Sequence, residues 1–278
     1  MFMPDNKKYE KLYPEYTDRH YIKINRNRGY VFDESYPYVD NSKKFRRKRR
    51  LIRFVIVTIV FLLARIRMGL RIKGRKYLKQ NKNILKSGVI SVSNHVHMWD
   101  YLALLVAIRY FKPNYLAWDK NVNGKDGKLI RLTGGIPIPT NNFSATKKYL
   151  SDVNTFINNG GWLHIYAEGS MWEYYPFIRP FKRGISYFSI ACDKPILPVG
   201  FSYRKPNFIR RIIFRQKALI TVNIGELIYP NKELNKKEME LDLIKRSHEA
   251  ICNLCKVDNN IYPYLFNDTK KEEYKKSI

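Results

Sequence analysis

The residues best suited to chemistry in this chain stand together in Asn94-His95-Val96-His97-Met98-Trp99-Asp100. An imidazole backed by a carboxylate makes a general base. The carboxylate fixes the ring tautomer and stabilises the imidazolium that forms when a proton is taken. A spacing of five would set His95 and Asp100 about 140° apart on one regular helix, so they would not share a face. They meet only if His95 lies in a loop and Asp100 in the first turn of the helix that follows. The same residues also fit two other roles. Asp100 would serve as a helix cap, and His95, His97 and Asp100 would serve as metal ligands in a metal-dependent hydrolase. Such a site draws on further ligands, and His20, His164 and His248 are the other histidines. Cys252-Asn253-Leu254-Cys255, preceded by His248, has a metal-like spacing without a second pair, and two buried helical thiols are the better reading.

The surrounding pattern is that of an α/β domain whose loops carry the site. Val89 to Ser93 reads as a short β-branched strand and Asp100 to Tyr110 as an apolar helix after it. Further strands are expected at Asn114 to Trp118, Trp162 to Tyr166, Ile196 to Tyr203 and Leu219 to Ile224. Helices are expected at Ser144 to Asn159, closed by Gly160 and Gly161, at Gly184 to Ala191 and at Lys236 to Lys256. Alternating strands and helices imply a central mixed, mostly parallel sheet flanked by helices. In such sheets ligands bind at the carboxyl ends of strands, where His95 falls.

Four short blocks in this order resemble the glycerolipid acyltransferases of the 1-acylglycerol-3-phosphate acyltransferase type. Asn94, His95 and Asp100 match their NHxxxxD block. Gly134-Gly135-Ile136-Pro137-Ile138 is similar to their second block, a Gly-Gly-Ile-Pro-like turn. Tyr166-Ala167-Glu168-Gly169-Ser170, followed by Pro180-Phe181-Lys182-Arg183-Gly184, is similar to their third. Pro195-Ile196-Leu197-Pro198-Val199 is similar to their Pro-containing strand. The resemblance covers about residues 85 to 225. It implies acyl transfer from a thioester, carried on coenzyme A or acyl carrier protein, to the 2-hydroxyl of 1-acylglycerol 3-phosphate. It also implies His95 and Asp100 as the catalytic pair, and no metal or redox cofactor. Asn94, Glu168, Gly169 and Ser170, with Arg179, Lys182 and Arg183, are the expected acceptor site. Two departures bear on the acceptor. Where the family carries arginines implicated in holding phosphate, this chain has Thr140 and Met171. Arg179, Lys182 and Arg183 are the nearby cations that would replace them, and otherwise the acceptor is another lysolipid or a non-phosphorylated hydroxyl.

Charge and hydropathy place this domain. The 278 residues carry 52 Lys and Arg against 24 Asp and Glu, a net charge of +28. A mean hydropathy of -0.44 excludes a polytopic membrane protein. Three cysteines form no disulfide framework. Residues 1–42 hold seven basic and seven acidic residues, whereas 43–79 hold fifteen basic and no acidic ones. That window reads KKFRRKRR, then the apolar run Leu51 to Ala64, then RIRMGLRIKGRK. A helix of the apolar run is about 21 Å long, short of the roughly 30 Å hydrocarbon layer. Arg46, Arg49, Arg53, Arg67 and Arg71 share a helical stripe with Val57, Val60 and Ala64, as in an in-plane or re-entrant anchor whose arginines snorkel to headgroups; the alternative is a buried core helix with a basic start.

The expected organisation is a Tyr-rich extension over 1–42, a membrane-association segment over 43–80, a catalytic domain over 81–265 and a charged tail over 266–278. The expected partners are anionic membrane lipids, a lysophospholipid acceptor and the acyl carrier. The expected place is the cytoplasmic face of the cell membrane, peripheral or monotopic. A nucleic-acid-binding protein would use the same KKFRRKRR run, but no recognition motif accompanies it.

Overall fold

The computed structural model describes residues 27–108, 112–140 and 142–265, apart from the side chains of Val57, Val60, Leu63 and Ala64. Most of the expected Tyr-rich extension, the charged tail, the last turn of the Asp100 helix and the middle of the anticipated stripe lie outside the described residues.

The chain enters through α1 (Lys43–Val55), a π-helical turn over Ile56–Val60 and α2 (Phe61–Met68), which run on as one helical rod. The Ser42 hydroxyl caps its start by accepting the Phe45 N–H. Then follow β1 (Arg71–Lys73), α3 (Arg75–Gln80), α4 (Lys82–Lys86), β2 (Val89–Ser93), α5 (Asp100–Ala107) and β3 (Asn114–Trp118). Next come α6 (Asp119–Asn123), α7 (Gly127–Thr133), β4 (Gly135–Ile138), α8 (Phe143–Asn158), β5 (Trp162–Tyr166) and α9 (Gly184–Cys192). The chain closes with β6 (Ile196–Arg204), α10 (Phe208–Ile212), β7 (Leu219–Ile224) and α11 (Lys236–Cys255).

The seven strands form one sheet in the order β1-β7-β6-β2-β5-β3-β4. All neighbours are parallel except β6 and β7. Every residue of β2 is buried, as expected of a strand covered on both faces. One face packs against α5, through Val89, Leu197, Val199 and Leu104. The other packs against α8, α9 and α11, through Ile90, Val92, Val153, Ile185 and Ile244.

Two strands depart from the sequence expectation. Arg71–Lys73 has a single apolar residue, Ile72, and pairs as an edge strand with β7. Gly135–Ile138, expected as a turn, pairs with β3 at the opposite edge, where the missing Pro137 N–H costs nothing.

The helical rod also departs. Arg49 and Arg53 do not reach outward to headgroups. Both guanidinia turn inward onto the Pro113 carbonyl, and Arg49 also donates to the Asn114 side chain. The outward residues are apolar: Leu51, Phe54, Ile59, Leu62 and Ile66 are all more than half exposed. No described helix is long and apolar enough to cross a membrane. The described end of the N-terminal extension packs on the domain. Tyr38 is fully buried beside Tyr149, and Arg28 donates to the carbonyls of Gly124 and Lys125.

Candidate active site

The loop between β2 and α5 is held at four points before any substrate is considered. Asn94 ends β2 with its side chain laid along β6, donating to the Phe201 carbonyl at 2.9 Å and accepting the Phe201 N–H at 2.8 Å. It replaces the backbone partners that β6 loses where β2 leaves the sheet. The His95 N–H donates to Glu168 Oε2 at 3.0 Å. The carbonyls of His95 and Val96 accept the backbone N–H groups of Trp172 and Tyr174. The Tyr203 hydroxyl adds a second bond to the Val96 carbonyl, at 2.6 Å.

Asp100 stands in the first turn of α5 and is fully buried. Its Oδ2 accepts from the Val96 N–H at 2.8 Å and the His97 N–H at 3.0 Å, and it lies 3.1 Å from His95 Nδ1. The chain therefore folds back as the spacing requires. Asp100 both closes the loop and faces the imidazole. With Nδ1 toward the carboxylate, Nε2 is the ring nitrogen left to exchange a proton.

The imidazole rests on Tyr166, with ring centroids 3.9 Å apart and planes 18° from parallel. Tyr166 meets His164 edge-on at 4.7 Å. His164 lies between two β2 hydroxyls, Ser91 Oγ at 2.8 Å from Nδ1 and Ser93 Oγ at 3.2 Å from Nε2. Burial, with His95 nearby, pushes the His164 pKa down to about 3, so this ring is neutral. The role of Tyr166 and His164 beneath the site was missed in the sequence. Their two-residue spacing on one strand was the available signal.

His95 lines a cavity of about 350 Å³ at the carboxyl ends of β3 and β5. Leu116, Trp118, Ile130, Ile138 and Ile185 give it apolar walls. Gly169, Ser170 and Lys182 line it too, as do Thr140 and Met171. Lys182 is the lysine or arginine among its described lining residues. Gly169 adopts φ +76°, with the Lys182 stem folded over it. Thr140 donates to Asp119 Oδ2 at 2.9 Å.

The other expected acceptor residues stand elsewhere. Arg179 is fully buried and binds Glu168, Ser170 Oγ and the Ser170 carbonyl, with its guanidinium over the Trp172 ring. Its charge faces Glu168 and the loop wall, and it is not among the residues that line the cavity. Glu168 is 1% exposed and Asn94 fully buried, both behind the loop. Arg183 points to solvent, 3.5 Å from Glu240.

His97 does not join His95 and Asp100 as a ligand set. Its Nδ1 accepts the Trp99 N–H, and its Nε2 lies 3.7 Å from Glu173. Among the described residues no group of three or more His, Cys, Asp or Glu converges as a metal ion requires. Cys252 lies 3.7 Å from His248, while Cys255 is buried against the Phe201 carbonyl.

Residues 69–202 match the family model of the acyltransferases. The fold is similar to the crystal structure of the 1-acyl-sn-glycerophosphate (LPA) acyltransferase PlsC from Thermotoga maritima. The TM-score is 0.51 at 14% identity, over 80% of this chain and 85% of that one. No curated protein matches the sequence.

Proposed function

Taking residues 69–202 as an acyltransferase domain, we propose that this enzyme moves a fatty acyl group from a thioester to a lysophospholipid hydroxyl. The first candidate is the 2-hydroxyl of 1-acylglycerol 3-phosphate. The observation that carries the reading is His95, backed by Asp100, on the wall of a largely apolar cavity. His95 Nε2 takes the acceptor hydroxyl proton as the oxygen attacks the thioester carbonyl. Asp100 stabilises the imidazolium. When the tetrahedral intermediate collapses, the thiolate leaves and recovers the proton from Nε2. The thioester is already activated, so the step needs no metal or redox cofactor. The thiol carrier is coenzyme A or acyl carrier protein.

Gly169, Ser170 and Lys182 are the proposed acceptor contacts, with Lys182 facing the phosphate. Asn94, Glu168 and Arg179 hold the loop instead of touching substrate. Thr140 and Met171 on the cavity wall favour a second reading, in which the acceptor is another lysolipid or a neutral hydroxyl compound. We place the domain on the cytoplasmic face of the membrane, with the outward apolar residues of α1 and α2 lying in the interface.

The test is acyl transfer with the full chain against phosphorylated and neutral acceptors, with His95→Ala as control. Transfer to 1-acylglycerol 3-phosphate, lost in the variant, is expected. A variant as active as the wild type would remove His95 from the mechanism.

A further inference from the structure

A second cleft, of about 600 Å³, opens where α2 meets the β1 edge of the sheet, and it shares no lining residue with the His95 cavity. Five arginines line it: Arg65, Arg71, Arg75, Arg204 and Arg210. No carboxylate does. Among the described residues, none of Arg65, Arg71, Arg204 and Arg210 forms an ion pair. Their structural bonds go to neutral groups. Arg204 donates to Thr221 Oγ1 and the Gly69 carbonyl, and Arg210 donates to the Ile66 carbonyl at 2.8 Å. Arg204 is half-buried with its pKa lowered, first by burial and then by the charges of Arg71 and Arg210. Like charges held together without a counter-charge are costly, and an anion with several acceptor oxygens relieves that cost.

The cleft rim identifies the anion's carrier. Phe61, Ile66, Leu70 and Leu219 give the cleft apolar walls, and Ile66 belongs to the exposed apolar side of the rod. On the other side stands the α10 segment, where Phe208, Ile209, Ile212 and Ile213 are all more than half exposed. The two apolar surfaces are tied together, because Arg67 donates to the Phe214 carbonyl and Arg210 to that of Ile66. A soluble phosphate has no use for such a rim. A phosphodiester headgroup whose chains run into a bilayer does.

We propose that this arginine cleft binds the phosphate headgroup of an anionic membrane phospholipid, at a site distinct from the acceptor site, with α2 and α10 seated in the surrounding interface. The bound headgroup fixes how the domain sits on the membrane. Among the described residues the side chains of Arg65 and Arg71 make no hydrogen bond within the fold, unlike those of Arg204 and Arg210, so they are the residues to change.

The full-length protein is sedimented with phosphatidylcholine vesicles with and without phosphatidylglycerol. Arg65→Gln/Arg71→Gln is compared with Lys205→Gln/Arg211→Gln, which removes two exposed charges beside the same rim but outside the cleft. Thermal unfolding confirms that both variants fold. The cleft pair is expected to weaken partitioning onto phosphatidylglycerol vesicles on the order of 100-fold or more, because bonds to the headgroup are lost with the charges, and the rim pair by at most on the order of 30-fold through its charges alone. Glycerol 3-phosphate at millimolar concentration should leave the wild type on the vesicles. Equal weakening by the two pairs would mean general adsorption without a headgroup site. Displacement by glycerol 3-phosphate would assign the cleft to a soluble phosphate. Either result overturns the proposal. Both readouts are independent of acyl transfer, so they stand whether or not the enzyme acts on lysophospholipids.

Discussion

Glu168 and Arg179 form an ion pair at 2.9 Å in which neither side chain is more than 1% exposed. The same carboxylate accepts the N–H groups of His95 and Arg179. The pair therefore joins the loop carrying His95 to the segment after β5. Glu168→Gln leaves the Arg179 charge buried without its counter-ion, which costs about 3–5 kcal/mol. Urea denaturation should show a lower midpoint with unchanged steepness. An unchanged midpoint would mean that the loop is held by its neutral bonds alone.

Asp100 closes the loop and in the proposed mechanism stabilises the imidazolium, and one substitution separates the two. Asn at this position still accepts backbone N–H bonds but gives no charge to an imidazolium. Asp100→Asn should therefore fold and yet lose on the order of 10²- to 10⁴-fold in kcat. Circular dichroism and steady-state acyl transfer measure the two separately. A variant that is folded and fully active would leave Asp100 as a loop cap only.

The cavity wall tests the acceptor. Lys182→Ala should raise KM for 1-acylglycerol 3-phosphate about tenfold or more, since a bond to a charged group is worth roughly 1.5–3 kcal/mol. It should leave a neutral acceptor nearly unaffected. Met171→Arg should act in the opposite sense on the phosphorylated acceptor. If neither variant discriminates between the two acceptors, phosphate is not recognised at this wall.

Two buried histidines make stability depend on pH. Burial lowers His164 to about 3 and His248 to about 4, against roughly 6.5 in an unfolded chain. Below pH 6.5 the unfolded chain takes up protons that the folded chain refuses, so stability is lost as pH falls toward those values. Each histidine contributes up to about 1.4 kcal/mol per pH unit, or together about 3 kcal/mol between pH 6.5 and 5. Urea midpoints across that range should fall, and His248→Gln should remove roughly half the slope. A pH-independent midpoint would refute the assignment.

The parts legible in the sequence were those whose residue types act locally. The run Val89 to Ser93 is apolar enough to read as a buried strand, and the interval from His95 to Asp100 required a loop that turns back. Other parts depend on distant segments meeting. Asn94, Glu168 and Arg179 look like surface polar residues until β6 and the loops around residue 172 enclose them. Arg49 and Arg53 fit a lipid-facing stripe as well as an inward one, and only the position of the Pro113 carbonyl decides between them. Ile72 is too little apolar sequence to announce an edge strand, and Pro137 argues for a turn unless its strand has no neighbour on that side.

The loop from Asn94 to Asp100 is anchored at both ends, on Phe201 and on the first turn of α5, and pinned between them by Glu168. It has no slack. Inserting or deleting one residue would move the imidazole off its carboxylate and break the seat on Tyr166 together. This segment therefore tolerates exchange of side chains such as Met98 and Trp99, which are exposed, but not a change of length. An enzyme designer could vary its surface freely and its residue count not at all.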